Sequence, residues 1–517
     1  MFINPYENQI PDKTIWDNLI LYDDGYFYAF FGTGYKNEIN KDGYPRALDI
    51  AKSADGVHWE FIARNTCYVE GAHAGFGVQK IGEYFYYYPT ASDGSPDNVH
   101  FKIYRTKDFT NWEYMGKDYD VYREPKYYAN RWEEMMILRD TDKNGKPVMY
   151  GYISTENNLE YSPSAGMLKS YDGIDWEILP PVIIDWGETP AQHGEVNFAI
   201  KKGDKYYLSI CYRFYMGDTG FCCYTFSSDS PYGPFRPDLQ MFRLAGNSGR
   251  KVTFFTHSIE MPDGETLAAL WLSKGINPEI PSKTFAVGSL KKIMTFNGYL
   301  RLSYFEGTDN AKGREIKYNA ANIVHPSPEK LENLHMNAGR SGTVCLLDCV
   351  LDIKKGFIIE GYLNAKESRS FTQTHQHSAS AGFYLEQAEG VGYAVLMETL
   401  GVTRGGLLEY GKKRICEKDI FDSDDLVTGR SEPFDGKIKF SEVDKTGPFG
   451  HASYCGIRHG ENHNFRLLAR ENYFELFIDN LYVQTYIMPE KFSGRAGFCV
   501  FNGKCEFNEI KIFEMNS

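Results

Sequence analysis

Five ionisable residues, Asp17, His73, Glu134, Glu195 and His257, recur along the first half of the chain at intervals of 56, 61, 61 and 62 residues. Each opens the same local pattern: an apolar run, a polar turn carrying Gly, then a second run rich in Tyr, Phe or Leu. The turns are Asp23-Asp24-Gly25, Gly82-Glu83, Lys143-Asn144-Gly145, Lys202-Gly203-Asp204 and Asp263-Gly264-Glu265. Two extended runs joined by a short Gly turn predict an antiparallel hairpin, and a fixed period predicts an array of like units. One hairpin later a second element repeats. Ser53-Ala54-Asp55-Gly56-Val57-His58-Trp59, Thr106-Lys107-Asp108-Phe109-Thr110-Asn111-Trp112 and Ser170-Tyr171-Asp172-Gly173-Ile174-Asp175-Trp176 are versions of one turn, with Ser228-Asp229-Ser230-Pro231-Tyr232-Gly233 in the fourth slot. Units of roughly 60 residues, each with about four short strands, are the blades of a β-propeller.

In a propeller the innermost strand of every blade lines one central axis, so equivalent positions converge. Asp17, Glu134 and Glu195 are therefore expected to face one another, with His73 and His257 between them. Charged side chains are rarely buried unless paired or functional, which makes the set more informative than any member. Three chemistries fit: a hydrogen-bonded polar plug, a divalent-cation site, or the acid and base or nucleophile of a glycoside hydrolase. Neighbouring aromatics favour sugar chemistry, because a rigid ring stacks on the apolar face of a sugar. Trp16, Phe76, Trp132 and Trp186 are the candidates; each alone suits a hydrophobic core better, but four at blade mouths favour a sugar site. Arg46, Asp49 and Arg213 are candidates for hydroxyl contacts or structural ion pairs.

Composition narrows the alternatives. The formal charge of −13 lacks the clustered Lys and Arg that phosphate binding needs, which argues against nucleic acid and anionic membranes. No apolar stretch reaches membrane-spanning length, and the N-terminal residues lack a basic region followed by an apolar one, so a cytoplasmic location is expected. The 10 Cys include no Cys-x-x-Cys pair and mostly sit in apolar runs, as free thiols do. Aromatics make up 15% of the chain, which suits strands and sugar-stacking surfaces alike.

The period ends near Tyr299-Leu300-Arg301-Leu302, giving an expected propeller over 1–306. Polar residues then predict a linker over 307–342, with a short helix at Ser327–Leu334 capped by Ser327 and led by Pro328. Strand signals return without the period over 343–517, for example Gly356–Leu363, Tyr473–Asp479 and Lys504–Phe513. They predict a jelly-roll β-sandwich. His375 and His377 fall in a Ser/Thr/Gln-rich segment that reads as a solvated loop. An acidic chain with a sandwich domain is compatible with a homodimer.

The all-β architecture, a five-bladed β-propeller followed by a C-terminal jelly-roll β-sandwich with acidic residues opening blades one, three and four, resembles the invertase/levanase-type glycoside hydrolases of family 32. It is also similar to the arabinanase/xylosidase-type enzymes of family 43. Ile15-Trp16-Asp17-Asn18 stands where the invertases carry Trp-Met-Asn-Asp-Pro-Asn-Gly. Arg131-Trp132-Glu133-Glu134 replaces Arg-Asp-Pro, and Gly194-Glu195-Val196 replaces Glu-Cys or Glu-Gly-Pro. Thr256-His257-Ser258 resembles the axial His of the arabinanase type, which sometimes lies beside a cation; otherwise no cofactor is implied. The resemblance implies Asp17 as nucleophile or general base, Glu195 as general acid, and Glu134 as a partner that raises the acid's pKa and binds hydroxyls. Glu133 is the fallback for Glu134, because strand alternation should put only one of the two on the axis side, and Glu188 is the fallback for Glu195. The implied substrate is an oligosaccharide or small glycoside losing a terminal furanoside such as fructose. An arabinofuranosidase or xylosidase, and a carbohydrate-binding propeller without catalysis, are the rival expectations.

Overall fold

The Gly turns that punctuate the repeat take the left-handed backbone that a tight hairpin requires. Gly25, Gly82, Gly145, Gly203 and Gly264 have φ of 80°, 58°, 78°, 59° and 85°. In the computed structural model each joins an inner strand to its neighbour: Lys13–Asp23 to Tyr26–Tyr35, Ala72–Ile81 to Tyr84–Ser92, Tyr128–Thr141 to Pro147–Asn157, Gly194–Lys202 to Lys205–Arg213, and Thr253–Glu260 to Thr266–Ser273. The structure describes residues 13–35, 47–92, 98–157, 163–185, 194–213, 221–238, 243–246, 253–273, 285–296, 298–331, 333–338, 342–367, 379–399, 403–411, 431–434, 438–446, 457–471, 473–487 and 491–516.

Outer strands complete each blade in antiparallel order. Blade one adds Ala47–Ser53 and Glu60–Thr66, blade three adds Pro163–Ser170 and Glu177–Leu179, and blade four adds Phe221–Ser228 and Arg236–Pro237. In blade two the strand Tyr84–Ser92 pairs outward with both Val99–Phe101 and Tyr104–Thr106. In blade five Thr266–Ser273 likewise pairs with Phe285–Val287 and Lys291–Phe296. The five inner strands touch in a closed cycle, one to two, two to three, three to four, four to five and five back to one. That closure is the five-bladed propeller the period predicts. It leaves little room near the axis: a Cβ on Gly77 of blade two would lie 2.3 Å from the Met135 carbonyl oxygen of blade three.

Aromatic residues fill the faces between blades. Tyr28, Phe30 and Phe85 gather around Phe109 between blades one and two, with Tyr28 stacked on Phe109 at 5.1 Å. Between blades two and three Tyr88, Phe101, Tyr128 and Trp132 do the same. Each such pair adds about 0.5–1.5 kcal/mol beyond the burial of its area, so much of the aromatic enrichment is core.

The second repeat is a hydrogen-bonded turn with the same wiring in three blades. The Asp55 carboxylate accepts the backbone N–H groups of Val57 and His58, Asp108 those of Thr110 and Asn111, and Asp172 those of Ile174 and Asp175. The hydroxyl at the head of each turn also meets its Asp, Ser53 at 3.1 Å, Thr106 at 3.2 Å and Ser170 at 3.0 Å. Burial raises the Asp55 pKa, but these donors outweigh it and bring the group to about 2. Asp108 also falls to about 2, held chiefly by the Asn111 N–H. A depressed carboxylate pKa contributes stability above the unfolded value and loses it as pH falls through the folded one. Replacing Asp55 and Asp108 by Asn should therefore lower the urea midpoint above pH 3.8, with the deficit shrinking as pH falls to about 2 and below. A deficit that stays constant over that window would remove these carboxylates from the acid response.

The chain divides into two compact units, with Leu300 in the first and Arg301 in the second. The second unit is a β-sandwich. One sheet runs Leu481–Ile487, Tyr473–Ile478, His463–Arg470, Phe357–Glu367, Gly503–Met515 and Lys312–Glu315. The other runs Glu329–Leu331, Ala321–His325, Gly342–Leu347, Ala496–Phe501, Ser380–Ala388, Val391–Glu398, Thr403–Tyr410, Ile438–Thr446 and Ser431–Phe434. Phe357, Leu467 and Phe507 from the first sheet and Phe383, Val395 and Phe498 from the second share one hydrophobic core. The segment 307–342, expected as a linker with a helix, instead supplies strands to both sheets. Glu329–Leu331 pairs with Ala321–Ile323, and His335–Asn337 pairs with Lys504–Glu506. An eight-residue helix is marginal in water. Here Leu334, Met336 and Ala338 enter the core while Asn333, His335 and Asn337 face out, a period of two. His375 and His377 lie outside the described residues. Among the described residues no helix is long and apolar enough to cross a membrane.

Candidate active site at the propeller axis

The inner strands break register where the charged series falls. Blade one shifts between Trp16 and Asn18, so Asp17 is its bulged residue; blade three shifts between Glu133 and Met135, leaving Glu134 bulged with φ +59°. Blade two shifts between Ala72 and Phe76, and blade four between Val196 and Phe198. A bulge twists the strand and re-aims a side chain, and such irregularities concentrate beside active sites. The bulge also corrects the alternation argument. Because Glu134 adopts the left-handed conformation, the strand does not send Glu133 and Glu134 to strictly opposite faces.

Arg131 organises the carboxylates. Its Nε donates to Glu133 Oε2 at 2.7 Å, its Nη2 to Glu195 Oε1 at 2.8 Å, and its Nη1 to the Gly194 carbonyl at 3.2 Å. The side chains of Arg131, Glu133 and Glu195 are 10%, 13% and 14% exposed. Burial alone would lower the guanidinium pKa, but Glu195, Glu133 and Glu134 together outweigh it and drive it upward. Glu134 is buried, and its Oε2 accepts the Ser154 hydroxyl at 2.7 Å. The same Ser154 Oγ accepts the Val196 N–H at 2.8 Å. Blade three is thus tied to blade four on both sides of Glu195, at Gly194 and at Val196. Glu195 keeps one oxygen, Oε2, with no hydrogen-bond partner.

All five inner strands line a small axial cavity of about 30 Å³, with Leu19, Val78, Met136, Asn197 and His257 among its walls; Glu133, Glu134 and Glu195 do not line it. His257 is buried, and burial lowers its pKa to about 3, so it is neutral near pH 7. Among the described residues no group of three or more His, Cys, Asp or Glu is arranged to hold a metal ion.

The expected sugar contacts fare unevenly. Trp132 is fully buried, donates its indole N–H to the Val121 carbonyl at 3.1 Å and packs on Tyr128 and Phe101, so it belongs to the core between blades. Asp49 is also fully buried and accepts the Asn65 N–H at 2.7 Å, a role inside blade one that puts it out of a ligand's reach. Both residues sit on strands whose neighbouring blades or turns enclose them, which spacing from a carboxylate does not reveal. The backbones of Trp16, Asp17, His73, Phe76 and Arg213 lie on the strands described above, while their side chains lie outside the described part. Arg46, Trp186 and Glu188 lie outside it altogether. Arg131 and Ser154 were missed as site residues. Arg131 was within reach, since it shares a strand face with Glu133 two positions on; Ser154 carries no sequence signal.

No family model matches the chain, and no curated protein matches its sequence. Solved structures do match its fold. A β-fructofuranosidase from Aspergillus kawachii superposes with a TM-score of 0.64 at 12% identity, over 98% of this chain and 93% of that one. Sucrose-6-phosphate hydrolase from Lactobacillus gasseri gives 0.63 at 14% identity, over 97% and 91%. A family 32 β-fructofuranosidase from Bombyx mori gives 0.62 at 12% identity, over 97% and 91%. Over nearly its whole length, the chain has the fold of the family 32 β-fructofuranosidases.

Proposed function

We propose that this protein is a glycoside hydrolase that removes a terminal fructofuranosyl unit from an oligosaccharide or small glycoside. The observation that carries the reading is the convergence of Glu133, Glu134 and Glu195 around Arg131 at the inner strands, with a further carboxylate residue, Asp17, bulged on blade one. The likeness to fructofuranosidases and to a sucrose-6-phosphate hydrolase supports the sugar class.

In this reading Glu195 Oε2, the oxygen without a partner, carries the proton that passes to the glycosidic oxygen as the bond to the anomeric carbon breaks. Arg131, already on Oε1, stabilises the carboxylate left behind. Asp17 attacks the anomeric carbon directly if configuration is retained, or takes a proton from the attacking water if it is inverted. Glu134, held by Ser154, binds sugar hydroxyls beside the acid.

The test is an activity screen over sucrose, sucrose 6-phosphate, inulin-type fructans, and aryl arabinofuranosides and xylosides, with products identified by chromatography. Fructose release is expected. Arabinose or xylose release would move the enzyme to the second hydrolase class, and binding of these sugars without hydrolysis would make it a lectin-like propeller. The anomer formed first, read by proton NMR, separates retention from inversion.

A further inference from the structure

We infer that Ser154 is a positioning residue that holds Glu134 ionised and fixes its place relative to Glu195; its catalytic consequence rests on the hydrolase reading above. Ser154 lies mid-strand in Pro147–Asn157, opposite Glu133, and is 1% exposed. Its hydroxyl oxygen accepts the Val196 N–H at 2.8 Å, which leaves its proton to point at Glu134 Oε2, 2.7 Å away. A hydroxyl carries one proton, which is not used in accepting the Val196 N–H and is free for the carboxylate, and a donated hydrogen bond favours the charged form of a carboxylate. The amide it accepts belongs to the residue after Glu195. Any shift of the blade-four strand therefore changes the hydrogen bond that Glu134 receives. Arg131 makes the complementary tie one residue before Glu195, to the Gly194 carbonyl at 3.2 Å. The two carboxylates are coupled through Ser154 without touching it in the same way: Glu134 through its side chain, Glu195 through its backbone. A buried serine placed only to satisfy Val196 would not need a carboxylate on its proton.

The experiment is a carbon-13 titration of glutamate side-chain carboxyls, with Glu134→Gln identifying the Glu134 resonance, in the wild type and in Ser154→Ala, Ser154→Cys and Ser154→Thr. Loss of the hydroxyl in Ser154→Ala is expected to raise the Glu134 midpoint by about one pH unit. Ser154→Thr should restore it, and Ser154→Cys, which keeps a weaker donor in a similar volume, should fall between. Thermal melting identifies variants that fold, and Ser154→Cys serves if Ser154→Ala does not. In the active protein the acid limb of the rate profile should move with the midpoint, and kcat should fall about tenfold while KM changes less than about twofold. A Glu134 midpoint that does not move in Ser154→Ala, or in Ser154→Cys if only that variant folds, overturns the assignment even if the protein hydrolyses fructosides. A midpoint that moves in a protein without hydrolytic activity supports the Ser154 tie and overturns the hydrolase reading instead.

Discussion

An Asp17→Asn variant is expected to lose more than about 10³-fold in kcat for fructose release while folding and binding sugar as the wild type does. The amide keeps the size and hydrogen-bonding reach of the carboxylate, so the bulge between Trp16 and Asn18 has no steric reason to change. What disappears is the negative charge that, in the proposed mechanism, either attacks the anomeric carbon or deprotonates water. Glu195→Gln should behave differently. It removes the proton that a poor leaving group needs, costing about 10²–10⁴-fold on sucrose-like substrates, but much less on aryl glycosides whose leaving group departs without protonation. The contrast between the two variants across leaving groups is the decisive measurement. Full activity in Asp17→Asn would end the proposed mechanism, and equal losses for both variants on both substrate types would remove the acid assignment from Glu195.

Replacing Arg131 by Met is expected to be among the most damaging changes to stability, because it leaves the Glu133 carboxylate largely buried without its cation and Glu195 Oε1 without its donor. Removing one partner of a buried ion pair costs about 3–5 kcal/mol, since the remaining charge stays desolvated and unpaired. The deficit should shrink at acid pH, where protonation relieves the stranded charge; urea denaturation at neutral and acid pH checks both parts. Arg131→Lys keeps the charge but cannot span Glu133, Glu195 and the Gly194 carbonyl with one ammonium. It should recover only part of the stability and little of the activity. Wild-type activity in Arg131→Lys would show that charge alone suffices and that the fork geometry has no role in holding Glu195.

The parts of this protein that could be read in advance share a physical cause. A blade is built mostly from contacts near in sequence, so its period, its Gly turns and its Asp-headed turns are written locally. Gly25, Gly82, Gly145, Gly203 and Gly264 take the left-handed conformation their turns need, and three Asp turns repeat one hydrogen-bond pattern. Placing Glu134 and Glu195 on inner strands follows from that phasing. The misreadings arise where a distant neighbour decides. Ser327–Leu334 has a helix-like start, but Leu334, Met336 and Ala338 answer to the sandwich core and alternate as a strand does. Trp132 looks like a sugar platform beside a carboxylate, yet Phe101 and Tyr128 enclose it.

At the axis itself, chain order supplied the carboxylates and tertiary structure supplied their company. Spacing was enough to predict five blades and to place the ionisable series on their inner strands, because inner-strand position is a local property of each repeat. It could not show that a bulge at Glu134 would break the alternation expected to separate it from Glu133, nor that one guanidinium would hold Glu133 and Glu195 together. Nor could it show that Ser154 would reach both Glu134 and the amide beside Glu195. Those contacts join residues of blade three to one another and to blade four through packing and electrostatics that exist only once the ring has closed.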